Sequence, residues 1–178
     1  MTRKDVPVHH VTPGAVSRVH IGGHAIHPML VTFPIAFVSA TLFADIAFWL
    51  TEDTFWAEAA FWALVGAVIG GLLAAAAGMA DFLLVPQIRR HVSSWSHFIA
   101  AVMVIAIAFA NLLVRWEEAA SAVMPLGIYL SGLNQVLLAI ACWLGGKLVF
   151  VHNLGPGNPG QFPGSKPRGS KPRQKPGR

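Results

Sequence analysis

Three histidines and one aspartate carry most of the chemistry this sequence can offer. His27 opens the first long apolar run, within His24-Ala25-Ile26-His27-Pro28-Met29-Leu30-Val31-Thr32-Phe33-Pro34. His97 stands at the start of the third run, His152 at the close of the fourth, and Asp81 near the end of the second. Imidazole binds haem iron as well as zinc, copper and nickel, and a carboxylate completes many metal shells. Two readings follow. His27 and His97 would be the axial ligands of a b-type haem, with His152 and Asp81 as supporting or alternative ligands. Alternatively His27, His97, His152 and Asp81 would hold one transition-metal ion. Against both stands a plainer reading, in which polar groups at a membrane boundary cap helices and bond to loops. His9, His10 and His20 fall in a polar N-terminal stretch, and His24-x-x-His27 is too short a signal to count by itself.

The elements that must position these residues are membrane helices. Of 178 residues, 54% are hydrophobic and only 12% charged, too apolar for a soluble domain of this size. Four runs reach the roughly 20 residues that a crossing needs: Met29–Leu50, Ala59–Val85, His97–Trp116 and Leu126–Val151. Residues 1–28 hold no apolar run, so no cleaved secretory signal is expected. Pro28 suits the first turn of a helix, which puts His27 close to its N-cap, and Pro34 predicts a kink. Pro86 ends the second helix, Pro125 opens the fourth, and Gly155-Pro156 closes it. The lone Cys142 permits no intramolecular disulfide and reads as a small buried hydrophobe rather than a reactive thiol.

Helical periodicity predicts which faces turn inward. Residues 18 apart return to one face at 100° each. His27 and Asp45 have that spacing, as do Asn134 and His152; His97 and Asn111 are 14 apart, about 40° off. Polar groups in membrane helices face the bundle interior, so these stripes and that of Asp81 are expected to point at one another. In an antiparallel four-helix bundle with short loops the first and third helices are diagonal, which brings His27 and His97 across the axis. Gly66, Gly70, Ala74 and Gly78 form a stripe that lets a neighbour approach and leaves room for a ligand. Asp45, Asn111, Asn134 and Gln135, near the other end, read as an outer pocket or as interhelical hydrogen bonds.

Charge sets the expected orientation. With four crossings, Arg3, Lys4, Arg18, Arg89, Arg90, Lys147 and six tail cations share one side with all eight histidines. Arg115 alone falls on the other, beside Glu52, Asp53, Glu58, Glu117 and Glu118. The positive-inside rule makes the first side cytoplasmic, so both termini are expected inside. Trp49, Trp56, Trp62 and Trp116 fall near the opposite boundary, as an aromatic belt would. The organisation is thus a polar segment 1–26, a four-span domain 27–152 and a tail 153–178. The tail holds six prolines, six glycines and no acid, and repeats Gly-Ser-Lys-Pro-Arg at 164–168 and 169–173, which predicts disorder. Its six cations suit anionic lipid; nucleic acid is the weaker partner for a tail with one aromatic residue.

Taken together, Gly23-His24-Ala25-Ile26-His27-Pro28, Val31-Thr32-Phe33-Pro34, Gly78-Met79-Ala80-Asp81, His97 and Trp143-Leu144-Gly145-Gly146-Lys147-Leu148-Val149-Phe150-Val151-His152 resemble a bacterial membrane family known as domain of unknown function 2231. The resemblance spans roughly residues 22–155. It implies a four-helix protein of the inner, or plasma, membrane with no settled activity. Some relatives look like this chain joined to Rieske iron–sulfur domains, which by analogy implies electron transfer with a redox partner. There is no Gly-rich phosphate loop, His-Glu-x-x-His or Cys-x-x-Cys here. The expectation is therefore an all-α electron-transfer or binding module rather than a catalyst, holding haem or a metal ion. The competing expectation is a cofactor-free scaffold or assembly subunit, open to homo-oligomerisation through its small residues. Four short spans without an inverted repeat speak against a transporter.

Overall fold

A computed structural model describes residues 17–22 and 24–150. Four helices long and apolar enough to cross a membrane dominate it: Ile26–Thr51, Thr54–Leu84, Val92–Val114 and Ala119–Phe150. They are referred to below as the first to fourth spans. Each begins before its apolar run. The second span is an example. Asp53 accepts the Phe55 N–H at 3.0 Å, which starts the helix at Thr54 rather than at Ala59.

Prolines shape the first and last spans. The first is broken at Val31 into Ile26–Leu30 and Thr32–Thr51. Pro34 can neither bond the carbonyl four residues back nor pack its ring under it, so the helix breaks one turn ahead of the proline. Ala25 is the N-cap, which makes His27 the second helical residue. The fourth span opens with Ala119–Ala122 and a widened turn, Val123–Gly127, before regular helix from Ile128 to Phe150. Within the turn Met124 leaves the helical region (φ −110°, ψ 133°), the conformation that a following proline imposes. The segment before residue 17, the Gly155-Pro156 closure and the tail 153–178 lie outside the described residues.

The spans pack in sequence order around a ring, the first closing against the fourth, so the first and third are diagonal. Short turns explain this, since each can only connect neighbours. The shared core is slim: Val38, Leu64, Ala67, Val68, Val104, Ala108 and Leu138 fill the middle. Larger side chains such as Phe43, Leu72, Phe109 and Trp143 face outward, where lipid solvates them. The glycine stripe of the second span meets the first, with Phe37 against Gly66, Phe33 against Gly70 and His27 against Gly78. That is the close approach expected of small residues.

An ionic cluster fills one end of the bundle. Arg115 donates from Nη1 and Nη2 to the two oxygens of Asp45 at 2.6 and 2.7 Å, and from Nε to Asn111 Oδ1 at 3.0 Å. Ser131 Oγ donates to Asp45 Oδ2 at 2.6 Å, and Asn111 Nδ2 donates to Ser131 Oγ at 2.9 Å. Both charged side chains are wholly buried. Gly127 makes room for them, since a Cβ there would lie 2.7 Å from Arg115 Nη2. Of the two expectations for Asp45 and Asn111, interhelical hydrogen bonds are what the structure contains. Arg115, counted from sequence as the one cation on this side, sits inside the bundle. Asn134 is also buried, but its Oδ1 and Gln135 Oε1 have no hydrogen-bond partner among the described residues.

Removing one partner of this pair leaves the other charge buried and alone. Asp45→Ala or Arg115→Ala should each destabilise the bundle by about 3–5 kcal/mol. The double variant Asp45→Leu/Arg115→Leu should lose less than the two single losses together. Unfolding by added SDS in detergent micelles measures all three.

Candidate functional site

At the opposite end His27 and His97 meet across the bundle axis. Their ring centres are 6.3 Å apart and their planes nearly perpendicular, at 83°. Each ring is tied to the neighbouring span. His27 Nδ1 bonds the Ala74 carbonyl at 2.8 Å, and His97 Nδ1 bonds the Ala141 carbonyl at 2.9 Å. A carbonyl can only accept, so in both rings Nδ1 carries the proton. In a neutral imidazole the other nitrogen, Nε2, then keeps a lone pair. Neither Nε2 has a hydrogen-bond partner among the described residues. The bonds to Ala74 and Ala141 are of the kind that orients metal-ligating histidines.

Both imidazoles line a cavity of about 460 Å³. Its wall is largely apolar and drawn from all four spans, including Val31, Pro34, Ala75, Val104, Leu138 and Leu148. The space exists because Gly71, Ala74, Gly78, Ala141 and Gly145 stand where larger residues would fill it. Ser94 lies in the same wall, is only 2% exposed, and its Oγ has no partner among the described residues. A buried hydroxyl without a partner is costly unless something else bonds it. Volume, apolar lining and a few polar atoms are the marks of a small-molecule site.

A strap from the N-terminal side closes over this end. The paired strands β1 (His20–Ile21) and β2 (His24–Ala25) form a tight hairpin leading into the first span. Gly22 at its turn has φ +56°, a left-handed conformation that favours glycine. Just before it, Ser17 Oγ, Arg18 N–H and Val19 N–H donate to the Asp81 carboxylate at 2.6, 2.8 and 3.0 Å. Asp81 is 7% exposed, and these three donors replace the water it has lost.

The sequence-derived candidates therefore divide. His27 and His97 come together across the diagonal. Asp81 lines the same cavity, but its oxygens are held by the strap. His152 lies outside the described residues. Among the described residues no group of three His, Cys, Asp or Glu side chains gathers as a metal shell. Sequence reasoning missed the strap, Ser94, and the two carbonyls that orient the imidazoles, and it expected Cys142, which is exposed, to be buried. Backbone acceptors leave no trace in residue type. The glycines beside them left a faint one: Ala-x-x-x-Gly occurs at Ala74–Gly78 and Ala141–Gly145, but also at Ala67–Gly71.

No curated protein and no solved structure matches the chain. A family model described as a predicted membrane protein, DUF2231, matches residues 23–158, a stretch that holds both histidines, both carbonyls and the buried ion pair. With four apolar helices long enough to cross a bilayer and that match over most of its length, the chain belongs to the DUF2231 family of membrane proteins.

Proposed function

We propose that this protein is a small membrane electron-transfer module whose cavity binds a b-type haem, with His27 and His97 as axial ligands. One observation carries the reading: two diagonal imidazoles, each with Nδ1 committed to a carbonyl and their ring centres 6.3 Å apart, line one apolar cavity. His27 and His97 would hold such a group through the ring nitrogens left free by the carbonyl bonds. Fit of the donor set also favours haem over a bare ion. A bare zinc-like ion takes four protein or water ligands, whereas haem iron brings four nitrogens and asks the protein for two. Such a group would supply one-electron chemistry. The protein's part would be to hold the axial nitrogens, exclude water with apolar walls, and bond a polar edge of the ligand through Ser94. The metal-ion reading, with Asp81 and His152 joining the two histidines, is the weaker of the two. It requires Asp81 to give up the strap.

We further propose an inner-membrane orientation with the histidine end and both termini in the cytoplasm. Burial of Arg115 strengthens the charge argument, because the remaining Lys and Arg then lie on the histidine side. The cationic tail would lie against anionic lipid there, and the redox partner would approach the same end.

The absorption spectrum of detergent-purified protein reconstituted with haem tests the first proposal. A Soret band that sharpens on reduction, and is lost in both His27→Ala and His97→Ala, is the expected result. Protein that stays colourless under these conditions, with no metal by elemental analysis, favours the cofactor-free scaffold. For orientation, a reporter active only in the cytoplasm should be active when fused after Arg178 and silent when inserted between Thr51 and Thr54.

A further inference from the structure

The two halves of the chain present their histidines in the same way. His27 of the first span reaches the second span, and His97 of the third reaches the fourth. Each bonds an alanine carbonyl, Ala74 or Ala141. The residue four positions further along is in both cases a glycine lying against the same imidazole. A Cβ at Gly78 would stand 2.8 Å from His27 Nδ1, and one at Gly145 would stand 3.1 Å from His97 Cε1. Helix geometry explains the spacing. A carbonyl points along the axis towards the residue four ahead, whose N–H it accepts. The side chain of that residue leans back over the preceding turn and covers the carbonyl. Glycine at that position leaves the carbonyl open to a second donor.

The repetition extends along each span. Asp45 follows His27 by 18 residues, Arg115 follows His97 by 18 residues, and these two pair with each other. The first and third spans thus carry equivalent stripes that touch at both ends.

We infer that Gly78 and Gly145 are positioning residues of the site. Each uncovers a helix carbonyl that fixes its histidine with the proton on Nδ1 and the lone pair on Nε2, ready to ligate. The identity of the ligand rests on the haem reading; the fixing of the tautomer does not. Gly66 provides the contrast. It belongs to the same stripe and is as tightly packed, with a Cβ 2.9 Å from Phe37, but it touches no histidine. A packing role alone would make Gly66 and Gly78 behave alike.

The test uses full-length protein in micelles with nitrogen-15 histidine, before haem is added. Long-range proton–nitrogen correlation reads the tautomer, with His27→Gln and His97→Gln assigning the signals. Both rings should carry the proton on Nδ1 in the unaltered protein and in Gly66→Ala. Gly78→Ala should disturb His27 alone, and Gly145→Ala should disturb His97 alone. Haem affinity should then fall about 10–100-fold in each of these two variants but not in Gly66→Ala. An Nε2–H tautomer in the unaltered protein overturns the inference, as does an unchanged tautomer in both glycine variants or an equal change in Gly66→Ala. Should Gly78→Ala fail to fold, Gly145→Ala and the unaltered protein decide the matter in the same way. If the tautomer pattern holds while no haem binds, the haem reading fails and the positioning role stands.

Discussion

In hydrocarbon a guanidinium has no water to fall back on, so Arg115 must find its partners inside the protein. It finds a carboxylate on the first span and an amide on its own, and a hydroxyl from the fourth bonds the same carboxylate. This constraint fixes more than its own surroundings. It pins the first and third spans together across the diagonal of the bundle. From Asp45 and from Arg115, 18 residues back along each helix lead to a histidine on the same face. Eighteen residues of helix rise about 27 Å, close to the thickness of a bilayer core. Joining the ion pair at one boundary therefore brings the imidazoles together at the other. The kink at Val31 does not undo this, because His27 is held separately by Ala74.

Between the two polar ends lies an apolar plug of Val38, Leu64, Val68, Val104 and Leu138. It separates a network whose charged groups are saturated from one with unspent capacity. At the arginine end the charged pair meets its donors and acceptors within the protein, and both side chains are sealed. At the histidine end two ring nitrogens and the Ser94 hydroxyl have no hydrogen-bond partner among the described residues, and their residues line a cavity. Saturated polar clusters hold a fold together, while unsaturated ones beside a void mark where a ligand would bind. The charged pair at one end is sealed and fully bonded, whereas the imidazoles at the other border a cavity.

Asp81 shows how sequence alone can misjudge such a division. Its position near the histidines and its charge make it an obvious candidate ligand. In the fold it accepts from Ser17, Arg18 and Val19, more than 60 residues earlier in sequence. It closes the end of the bundle with the strap. A carboxylate in an apolar setting must be neutralised or bonded, and here the backbone N–H groups of an irregular segment bond it.

Composition and periodicity were enough to determine four membrane helices, their order and their inward faces. In a bilayer each backbone must bond within its own helix, and each polar side chain must turn from lipid, so residue type maps directly onto structure. The diagonal approach of His27 and His97 followed from short turns and antiparallel packing. The burial of Arg115 was not read, because a cation at the end of an apolar run looks interfacial until its partner is seen. The 18-residue spacing from His97 held the clue, since the same stride carries His27 to Asp45. Only the tertiary structure decided which nitrogen of each imidazole is bonded, which residues hold Asp81, and that Ser94 Oγ has no partner among the described residues. Those outcomes depend on backbone carbonyls and N–H groups brought from distant segments, and every residue carries such groups whatever its side chain.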